Sequence, residues 1–290
     1  MSLHYDLHAH SRASDGTLSA TELVRRAQAA GIDVLALTDH DSLDGVAEAR
    51  AAAADLPLHL IAGVEVSVTW NGQTVHIVGL NVDPDDANLR AGLAGLQAFR
   101  DWRAEEIGRR LAKAGIADAY AGACRFASGR IVSRTHFAHF LVESGRAKSL
   151  REVFKKFLVR NKPGHVPGEW ATLEQAVAWI RGAGGEAVVA HPARYSLTGA
   201  KLRRLLGEFK DCGGSAMEVV SGSHTTEDML RMAGVARALG LKASRGSDYH
   251  GPENPWVELG RIPPLPEGVV PVWQDWDLAD RDSAIPNLIQ

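Results

Sequence analysis

Histidines that recur at short spacing are the residues of this sequence best suited to chemistry. The chain has 12 histidines among its 290 residues. His8 and His10 stand two residues apart, within and just after the predicted strand 5–9, so both imidazoles project from one face of the extended chain. Asp248 and His250 form a second pair with the same spacing after another short strand. Imidazole and carboxylate pairs of this kind indicate metal chelation.

Other ligand-type side chains stand where apolar runs end. His40, Glu65 and His191 each follow or close such a run, and Asp15 lies in a nearby turn. His76 lies inside a predicted strand, where a lone histidine is more often a packed core residue. The ends of parallel strands converge, so these side chains could meet at one edge. A set of this size without cysteine suits Mn²⁺, Fe²⁺ or Zn²⁺ and exceeds the needs of one ion, which predicts two or three divalent metal ions.

The elements that must position these residues alternate between strand and helix. Capping boxes begin helices after Ser19 and Thr172, and Asp41 or Ser42 is expected to cap a helix through residues 45–50. Alternation predicts the α/β class with parallel strands and crossover helices, either as an open sheet or as a closed barrel. The predicted strands are 5–9, 34–38, 58–66, 75–80, 187–190, 216–220 and 242–244.

Residues 98–165 interrupt this alternation. They show helical periodicity without a convincing strand, and they contain 15 Lys and Arg against six Asp and Glu. This segment therefore carries a net charge of +9, whereas the rest of the chain carries −12. A charged helical face is often only solvated, but cations concentrated in this way favour a substrate with more than one phosphate. We predict a basic helical insertion at 98–165 within a metal-binding domain formed by residues 1–97 and 166–290.

The insertion contains the candidate substrate-binding residues. Arg134 and Thr135 follow Ser133, a predicted helix cap, so that free N–H groups and a guanidinium would face a phosphate together. Arg103 and Arg160 flank the junctions of the insertion with the core and are further candidates. Trp102 could stack a base, although a tryptophan on an amphipathic helix is more often simply packed.

Composition excludes several other classes of protein. The chain is 45% hydrophobic and 23% charged, which is typical of a globular protein and not of a disordered one. Its apolar runs are too short to span a bilayer, and its start has no signal-peptide pattern. A net charge of −3 argues against general nucleic-acid binding. The two cysteines, Cys124 and Cys212, cannot build a disulfide framework, so a cytoplasmic location is expected.

The ordered motifs resemble the PHP (polymerase and histidinol phosphatase) superfamily over residues 3 to about 250. The resemblance implies a distorted (β/α)₇ barrel with a trinuclear metal cluster at its C-terminal mouth. The matching motifs are Asp6-Leu-His8-Ala-His10-Ser11, Thr38-Asp39-His40, Gly63-Val-Glu65, His76, Ala190-His191-Pro192 and Gly246-Ser-Asp248-Tyr-His250.

The same resemblance implies three groups of metal ligands. Glu65 would bridge two ions, and Asp15 stands where some members of the superfamily have histidine. Asp39 is expected beside the ligands, orienting an imidazole. The implied groups are His8, His10, Glu65 and Asp248 for the first ion; Glu65, His76 and His191 for the second; and Asp15, His40 and His250 for the third.

The activity implied by the resemblance is that of a small metal-dependent phosphoesterase. Residues 11–17 and the insertion resemble the stand-alone TrpH-type branch, whose members hydrolyse nucleoside 3′,5′-bisphosphates or short RNA. We predict release of the 3′-phosphate through in-line attack by a metal-bridging hydroxide, with manganese as the preferred ion and iron or zinc as alternatives. Glu65 and His191 are the residues expected to be essential. The predicted partner is a small phosphorylated nucleotide or short RNA, with neither a membrane nor a stable protein partner implied.

Four alternatives remain at this stage. A 5′-to-3′ exoribonuclease fits almost as well as the bisphosphate phosphatase. Histidinol phosphate carries a cationic amine and fits poorly beside a basic insertion. An amidohydrolase would normally require a carbamylated lysine, and no lysine ends a core strand among the motifs. Purely structural metals would be surrounded by protein ligands, often cysteine, which the sequence does not supply.

Overall fold

The computed structural model describes residues 3–253 and 256–277. The outer ends of the predicted metal-binding domain, residues 1–2 and 278–290, lie outside the described residues. Each of the seven predicted strands is present. They are β1 (Tyr5–Ala9), β2 (Val34–Leu37), β3 (His59–Trp70), β4 (Gln73–Leu80), β5 (Glu186–Val189), β6 (Ala216–Ser221) and β7 (Lys242–Gly246).

The helices pack outside the strands or belong to the insertion. They are α1 (Ala20–Ala29), α2 (Val46–Ala53), α3 (Ala87–Lys113), α4 (Ala119–Cys124), α5 (Arg134–Glu143), α6 (Leu150–Val153), α7 (Leu173–Gly182), α8 (Gly199–Asp211) and α9 (Thr226–Leu239). A π-helical segment, Phe154–Leu158, continues α6, and a 3₁₀ turn, Pro192–Arg194, follows β5. None of the described helices has both the length and the apolar character needed to cross a membrane.

The strands form one sheet in chain order, and its two edges approach each other. The residues that follow β7 hydrogen-bond to β1: Asp248 N donates to His8 O (2.8 Å), and His10 N donates to Tyr249 O (2.9 Å). The predicted distorted (β/α)₇ barrel is therefore confirmed. The walls are also close-packed here, because a Cβ atom on Gly246 would lie only 2.2 Å from His8 Cβ.

Strand direction differs from the expectation of an all-parallel sheet. β4 runs antiparallel to both β3 and β5. The cause is the turn between β3 and β4, where Asn71 and Gly72 both have positive φ, 48° and 73°. Two such residues form the tight connection of a β-hairpin, whereas a parallel pair needs a long crossover.

Local capping signals were predicted with mixed success. Ser19 and Thr172 are the N-caps of α1 and α7, and both capping boxes form as predicted. The predicted cap of α2 is wrong, because Gly45 stands at that position and Asp41 and Ser42 do not cap the helix. The carboxylate of Asp41 instead accepts hydrogen bonds from distant parts of the chain.

The end of the barrel opposite the histidines is covered by the C-terminal segment. The ring of Trp273 stacks on Tyr5 with centroids 4.2 Å apart, and Val272 is buried in the barrel interior. Trp276 Nε1 donates to Glu186 Oε1 (2.8 Å) at the start of β5. The Pro- and Trp-rich segment thus lies across the ends where the strands begin.

The insertion has its own apolar cluster, which includes Leu111, Phe137, Leu141 and Leu158. α3 is continuous across residue 98, so the chain has no break at the predicted start of the insertion. The buried residues of α3 up to Leu96 pack in the barrel cluster, and those from residue 104 onwards pack in the insertion cluster. α3 is therefore a rigid link between the two parts.

Candidate metal centre

The nine residues predicted as metal ligands come together at the barrel mouth. β1 supplies His8, His10 directly follows that strand, and Glu65 lies in β3. His40 and His191 directly follow β2 and β5. The antiparallel direction of β4 brings His76, opposite Ser67 of β3, to the same mouth from the first half of its strand. Asp248 and His250 follow β7, and Asp15 lies in the loop after β1.

The first group surrounds one carboxylate oxygen of Glu65. Glu65 Oε2 lies 3.4 Å from the Nε2 atoms of both His8 and His10. Asp248 Oδ1 lies 3.6 Å from His8 Nε2 and 3.3 Å from His10 Nε2. These donor atoms converge on a common space, which is the arrangement that one bound cation requires.

The second group uses the other oxygen of Glu65. Glu65 Oε1 lies 2.8 Å from His76 Nδ1 and 3.1 Å from His191 Nε2. The carboxylate therefore faces different imidazoles with its two oxygens. This is the geometry of a bridging ligand.

The third group lies nearer to solvent. Asp15 Oδ1 is 3.4 Å from His250 Nε2 and 3.9 Å from His40 Nε2, and His10 also lies close enough to contribute. His40 Nδ1 is 2.8 Å from Glu65 Oε2. His40, expected only in the third group, consequently stands between that group and Glu65.

Several buried polar atoms of these groups have no hydrogen-bond partner. Such atoms carry a substantial cost in free energy unless a ligand or ion satisfies them. Their imidazole and carboxylate chemistry suits divalent cations, so the residues present fit a metal cluster. The atoms are His8 Nε2, His10 Nδ1 and Nε2, Asp15 Oδ1, His40 Nδ1, Glu65 Oε2 and His191 Nδ1.

The protonation states of the carboxylates also favour cation binding. Burial acts to raise the pKa of Glu65, but the surrounding imidazoles, led by His40 and His76, hold that pKa well below its usual value. The pKa values of Asp15 and Asp248 are lowered in the same way, against burial, by neighbouring histidines. Burial, together with His250, lowers the pKa of His10 to about 3. His10 is therefore a neutral ligand at neutral pH.

Residues behind the ligands hold them in place, and the sequence analysis missed two of these. Glu218, buried in β6, accepts from His8 Nδ1 (2.5 Å) and from the backbone N–H of His191 (2.6 Å). The Tyr195 hydroxyl accepts from His76 N (2.8 Å). A glutamate within the apolar run of β6 was the available signal for Glu218, since a buried carboxylate needs partners.

The expected role of Asp39 is wrong. Asp39 orients no imidazole but accepts from Ser11 N and Ser11 Oγ, both at 2.7 Å, and from Ser14 Oγ at 2.6 Å. Since these residues belong to the loop that leads to Asp15, Asp39 fixes that loop. Three hydrogen bonds from this loop satisfy the Asp39 carboxylate, so it does not require a histidine as a partner.

Two adjoining cavities of about 330 Å³ each lie beside the metal ligands. The inner cavity reaches Asp15, His40 and His76, and the outer cavity extends away from them to His165. Thr74, Arg103 and Arg134 line both. The other predicted substrate residues divide between them, with Thr135 in the inner cavity and Arg160 in the outer cavity.

Trp102 does not line either cavity. Its side chain is 53% exposed and contacts Phe99. Trp170, which the sequence analysis did not select, lines the inner cavity instead. The guanidinium groups of Arg100 and Arg103 lie 4.9 and 5.6 Å from the centre of its ring, so both cations contact the same aromatic side chain.

The cavities are strongly cationic. Partial burial, together with the neighbouring Arg134 and Arg100, lowers the pKa of Arg103 to about 10. Desolvation and the adjacent arginines, led by Arg103 and Arg134, also lower the pKa of His165. Arg103 donates to the carbonyl oxygen of Val166 rather than to a carboxylate. Cations that crowd together in this way are suited to an anionic ligand.

A barrel mouth that brings together imidazoles and carboxylates suited to divalent cations, beside cavities lined by arginines, is typical of a metal-dependent hydrolase of phosphate esters. Comparison with known proteins agrees with this class. The PHP domain model matches residues 6–158, and the chain belongs to the PHP domain family.

Relatives of similar length carry two kinds of name. The 3′,5′-nucleoside bisphosphate phosphatase of Chromobacterium violaceum is 48% identical over 271 residues, which cover 93% of this chain and 95% of the relative. The 5′-3′ exoribonuclease Rnm of Escherichia coli is 46% identical over 275 residues, which cover 94% of each.

Two solved structures share the fold. An amidohydrolase from Chromobacterium violaceum with bound sulfate has a TM-score of 0.88 and 47% identity, over 95% of this chain and 98% of that chain. A Bifidobacterium adolescentis protein described as a metal-dependent phosphoesterase has a TM-score of 0.74 and 26% identity, over 94% of each chain. The chain is thus an enzyme that hydrolyses phosphoester bonds with the help of metal ions.

Proposed function

We propose that the protein removes the 3′-phosphate from nucleoside 3′,5′-bisphosphates and releases a 5′-nucleotide. The observation that carries this proposal is the pair of adjoining cavities with Arg103 and Arg134 between them. The inner cavity is lined by candidate metal ligands, and the outer cavity is lined by arginines. A substrate with two phosphates could place one phosphate in each cavity. The 48% identity to a bisphosphate phosphatase supports the same substrate class.

The candidate ligands would hold two or three divalent ions, with manganese preferred over iron or zinc. Oxygen- and nitrogen-rich sites of this kind suit Mn²⁺, and the third position, formed by Asp15, His40 and His250, completes a trinuclear set. When bound, such ions lower the pKa of water and neutralise charge on the phosphoryl oxygens. Glu65 and His191 are proposed to be essential, because Glu65 faces two of the groups and His191 contacts it.

The residues of the insertion bind and orient the substrate. Arg134 and Thr135, at the start of α5, face the inner cavity and would hold the phosphate that is cleaved. Arg103 and Arg160 would hold the second phosphate in the outer cavity. Arg194, whose Nη1 lies 3.2 Å from Asp248 Oδ2, also lines the inner cavity. Residues 98–165 would thus serve as the substrate-binding segment of the barrel.

A 5′-to-3′ exoribonuclease is the second candidate. The side chain of Arg160, at the end of the outer cavity, is exposed, as are Lys155 and Lys156 earlier in the insertion. An RNA chain could leave along such a surface, and a relative with that name is 46% identical. Histidinol phosphate remains disfavoured, because its cationic amine would face these arginines. Purely structural metals are disfavoured by the cavity that opens onto the ligands.

The test is phosphate release from adenosine 3′,5′-bisphosphate by the Mn²⁺-loaded protein, with 5′-AMP and a 5′-phosphorylated dinucleotide as comparison substrates. Release from the bisphosphate with 5′-AMP intact supports the proposal. An inert bisphosphate with cleavage of the dinucleotide identifies the exoribonuclease instead. R134A should raise KM for the bisphosphate far more than KM for an aryl phosphate, while R146A, an exposed arginine outside both cavities, should change neither.

We retain the cytoplasm as the proposed location, because Cys124 and Cys212 are both free thiols. No stable protein partner is proposed. The proposed partner is the substrate itself, a small phosphorylated nucleotide or short RNA.

A further inference from the structure

Arg100 joins α3 to the loop that carries His40. Its Nε donates to Asp41 Oδ2 (2.6 Å), and its Nη2 donates to Ser67 Oγ (2.7 Å) in β3. The arginine side chain is only 14% exposed, and the Asp41 side chain is fully buried. A buried carboxylate requires a charged or hydrogen-bonding partner, so this ion pair is a structural contact of the interior and not a surface contact.

All four polar atoms of Asp41, in its backbone and its side chain, are hydrogen-bonded. Its Oδ1 accepts from Ser67 N (2.7 Å), its backbone N donates to Glu65 O (2.9 Å), and its carbonyl oxygen accepts from Gln97 Nε2 (3.0 Å). Its φ of 49° lies in the left-handed region, which is uncommon for a residue other than glycine. The backbone that orients His40 is therefore imposed by these partners, and two of them, Gln97 and Arg100, come from α3.

The insertion also contacts the second loop of the third metal position. Ser128 Oγ donates to Gly16 O (3.0 Å), and Ile131 N donates to Ser14 O (3.3 Å), on either side of Asp15. Gly129 packs so closely that a Cβ atom there would lie 2.1 Å from Arg12 O. Both loops that supply Asp15 and His40 are thus supported from the α3 and insertion side.

Arg100 also belongs to the surface that would face the substrate. It lines the inner cavity, and its guanidinium lies on the Trp170 ring that Arg103 shares. Arg100 therefore contacts the His40 loop, strand β3 and the ring of Trp170, which also lines the inner cavity. Arg194, another arginine of the inner cavity, contacts Asp248 of the first group directly, whereas Arg103 donates to Val166 O, outside the ligand loops.

We propose that Arg100 is a positioning residue. It holds the metal position formed by Asp15, His40 and His250 in a fixed place relative to the residues that line the inner cavity. The inference rests on the proposed metal-dependent function and assigns to Arg100 a role beyond binding. Movement of α3 relative to the barrel would be transmitted by Arg100 to Asp41, and from there to His40. In the described part of the chain, no hydrogen bond links Arg100 or Asp41 to His8 or His10, and Glu65 is reached only through its backbone oxygen, which accepts from Asp41 N (2.9 Å) within β3.

The test measures Mn²⁺ binding to the metal-free full chain by electron paramagnetic resonance of free Mn²⁺. R100Q should weaken one bound Mn²⁺ by about tenfold or more while the other ions keep their affinity, since loss of a residue that orients a ligand typically has that effect. R109Q, an exposed arginine on the same helix, should leave every Mn²⁺ unchanged. In turnover, R100Q should lower kcat more than it raises KM.

R100K covers the case in which R100Q fails to fold. An ammonium keeps a charge opposite Asp41 but cannot bridge Asp41 and Ser67 as the guanidinium does, so the same selective loss is expected in a smaller degree. Unchanged Mn²⁺ affinities in the folded variant would overturn the proposal, and so would equal weakening of all ions. A wild-type protein without bisphosphatase activity, combined with selective loss in R100Q, would reject the proposed substrate and retain the positioning role.

Discussion

Individual histidines at the mouth carry different charges before metal binds, and each difference has a local cause. His10 is buried beside His250 and is neutral, with its pKa lowered to about 3. His8 is equally buried, yet Glu218 and Glu65 outweigh desolvation and raise its pKa well above the usual value. His250 faces Asp15 and Asp248, which raise its pKa to about 10 despite burial.

These charges predict that cation binding releases protons. The pKa of His8 is raised well above its usual value and that of His250 to about 10, so both hold protons at pH 7 in the metal-free protein and must lose them to coordinate. The pKa of His40 is also raised, against burial, by Glu65 and Asp15, which favours proton release in the same direction. Affinity for Mn²⁺ should therefore increase from pH 6 to pH 8. Calorimetric titration in two buffers of different ionisation enthalpy measures the number of protons released. A heat independent of the buffer would contradict these charge states.

At the scale of elements, the β3–β4 hairpin matters most, because it reverses one strand and thereby brings His76 to the mouth. The turn depends on two consecutive residues of positive φ, Asn71 and Gly72. Neither contacts the metal ligands. Gly72 lines the outer cavity, however, so the turn both sets the direction of β4 and forms part of that cavity.

Replacement of the turn glycine should reduce stability. G72A places a Cβ atom in open space but in a left-handed conformation, so the expected loss is about 1 kcal/mol in the free energy of unfolding. G95A is the control: this glycine lies within α3 with equally open surroundings, and alanine there should stabilise by up to about 1 kcal/mol. Urea unfolding measures both. Equal effects of the same sign would show that backbone conformation is not the cause.

At the scale of the whole molecule, the barrel is closed at one end and open for chemistry at the other. The closing segment stacks Trp273 on Tyr5 and buries Val272 among the interior side chains. The metal ligands stand at the far ends of the same strands. Stability and function are consequently assigned to opposite ends of one barrel, as is usual for this type of fold.

Replacement of Trp273 should lower stability without affecting metal binding. W273A is expected to lower the free energy of unfolding by about 3 kcal/mol, because a large packed aromatic ring is lost, and to leave bound Mn²⁺ unchanged. W102A, which removes the exposed ring on α3, should change stability by less than about 0.5 kcal/mol. Thermal unfolding and metal analysis check both variants. Loss of metal in W273A would indicate that the two ends are coupled.

The sequence by itself determined the strands, the two capping boxes and the family. Strand periodicity and caps depend on neighbouring residues, so they are visible in the linear sequence. The candidate ligands could also be selected, because His8, Glu65 and Asp248 are chemically unusual where they stand. The Asn71-Gly72 pair is a hairpin signal in the linear sequence, and the folded chain shows its consequence for the direction of β4.

The tertiary structure alone decided how those residues meet. Glu218 lies 210 residues from His8, and Arg100 lies 59 residues from Asp41, so no local pattern relates either pair. The preference for Trp170 over Trp102 at the inner cavity depends on which faces α3 and the segment after the insertion turn toward the barrel. Contacts of this kind arise from packing between distant elements, and packing is a property of the folded chain as a whole.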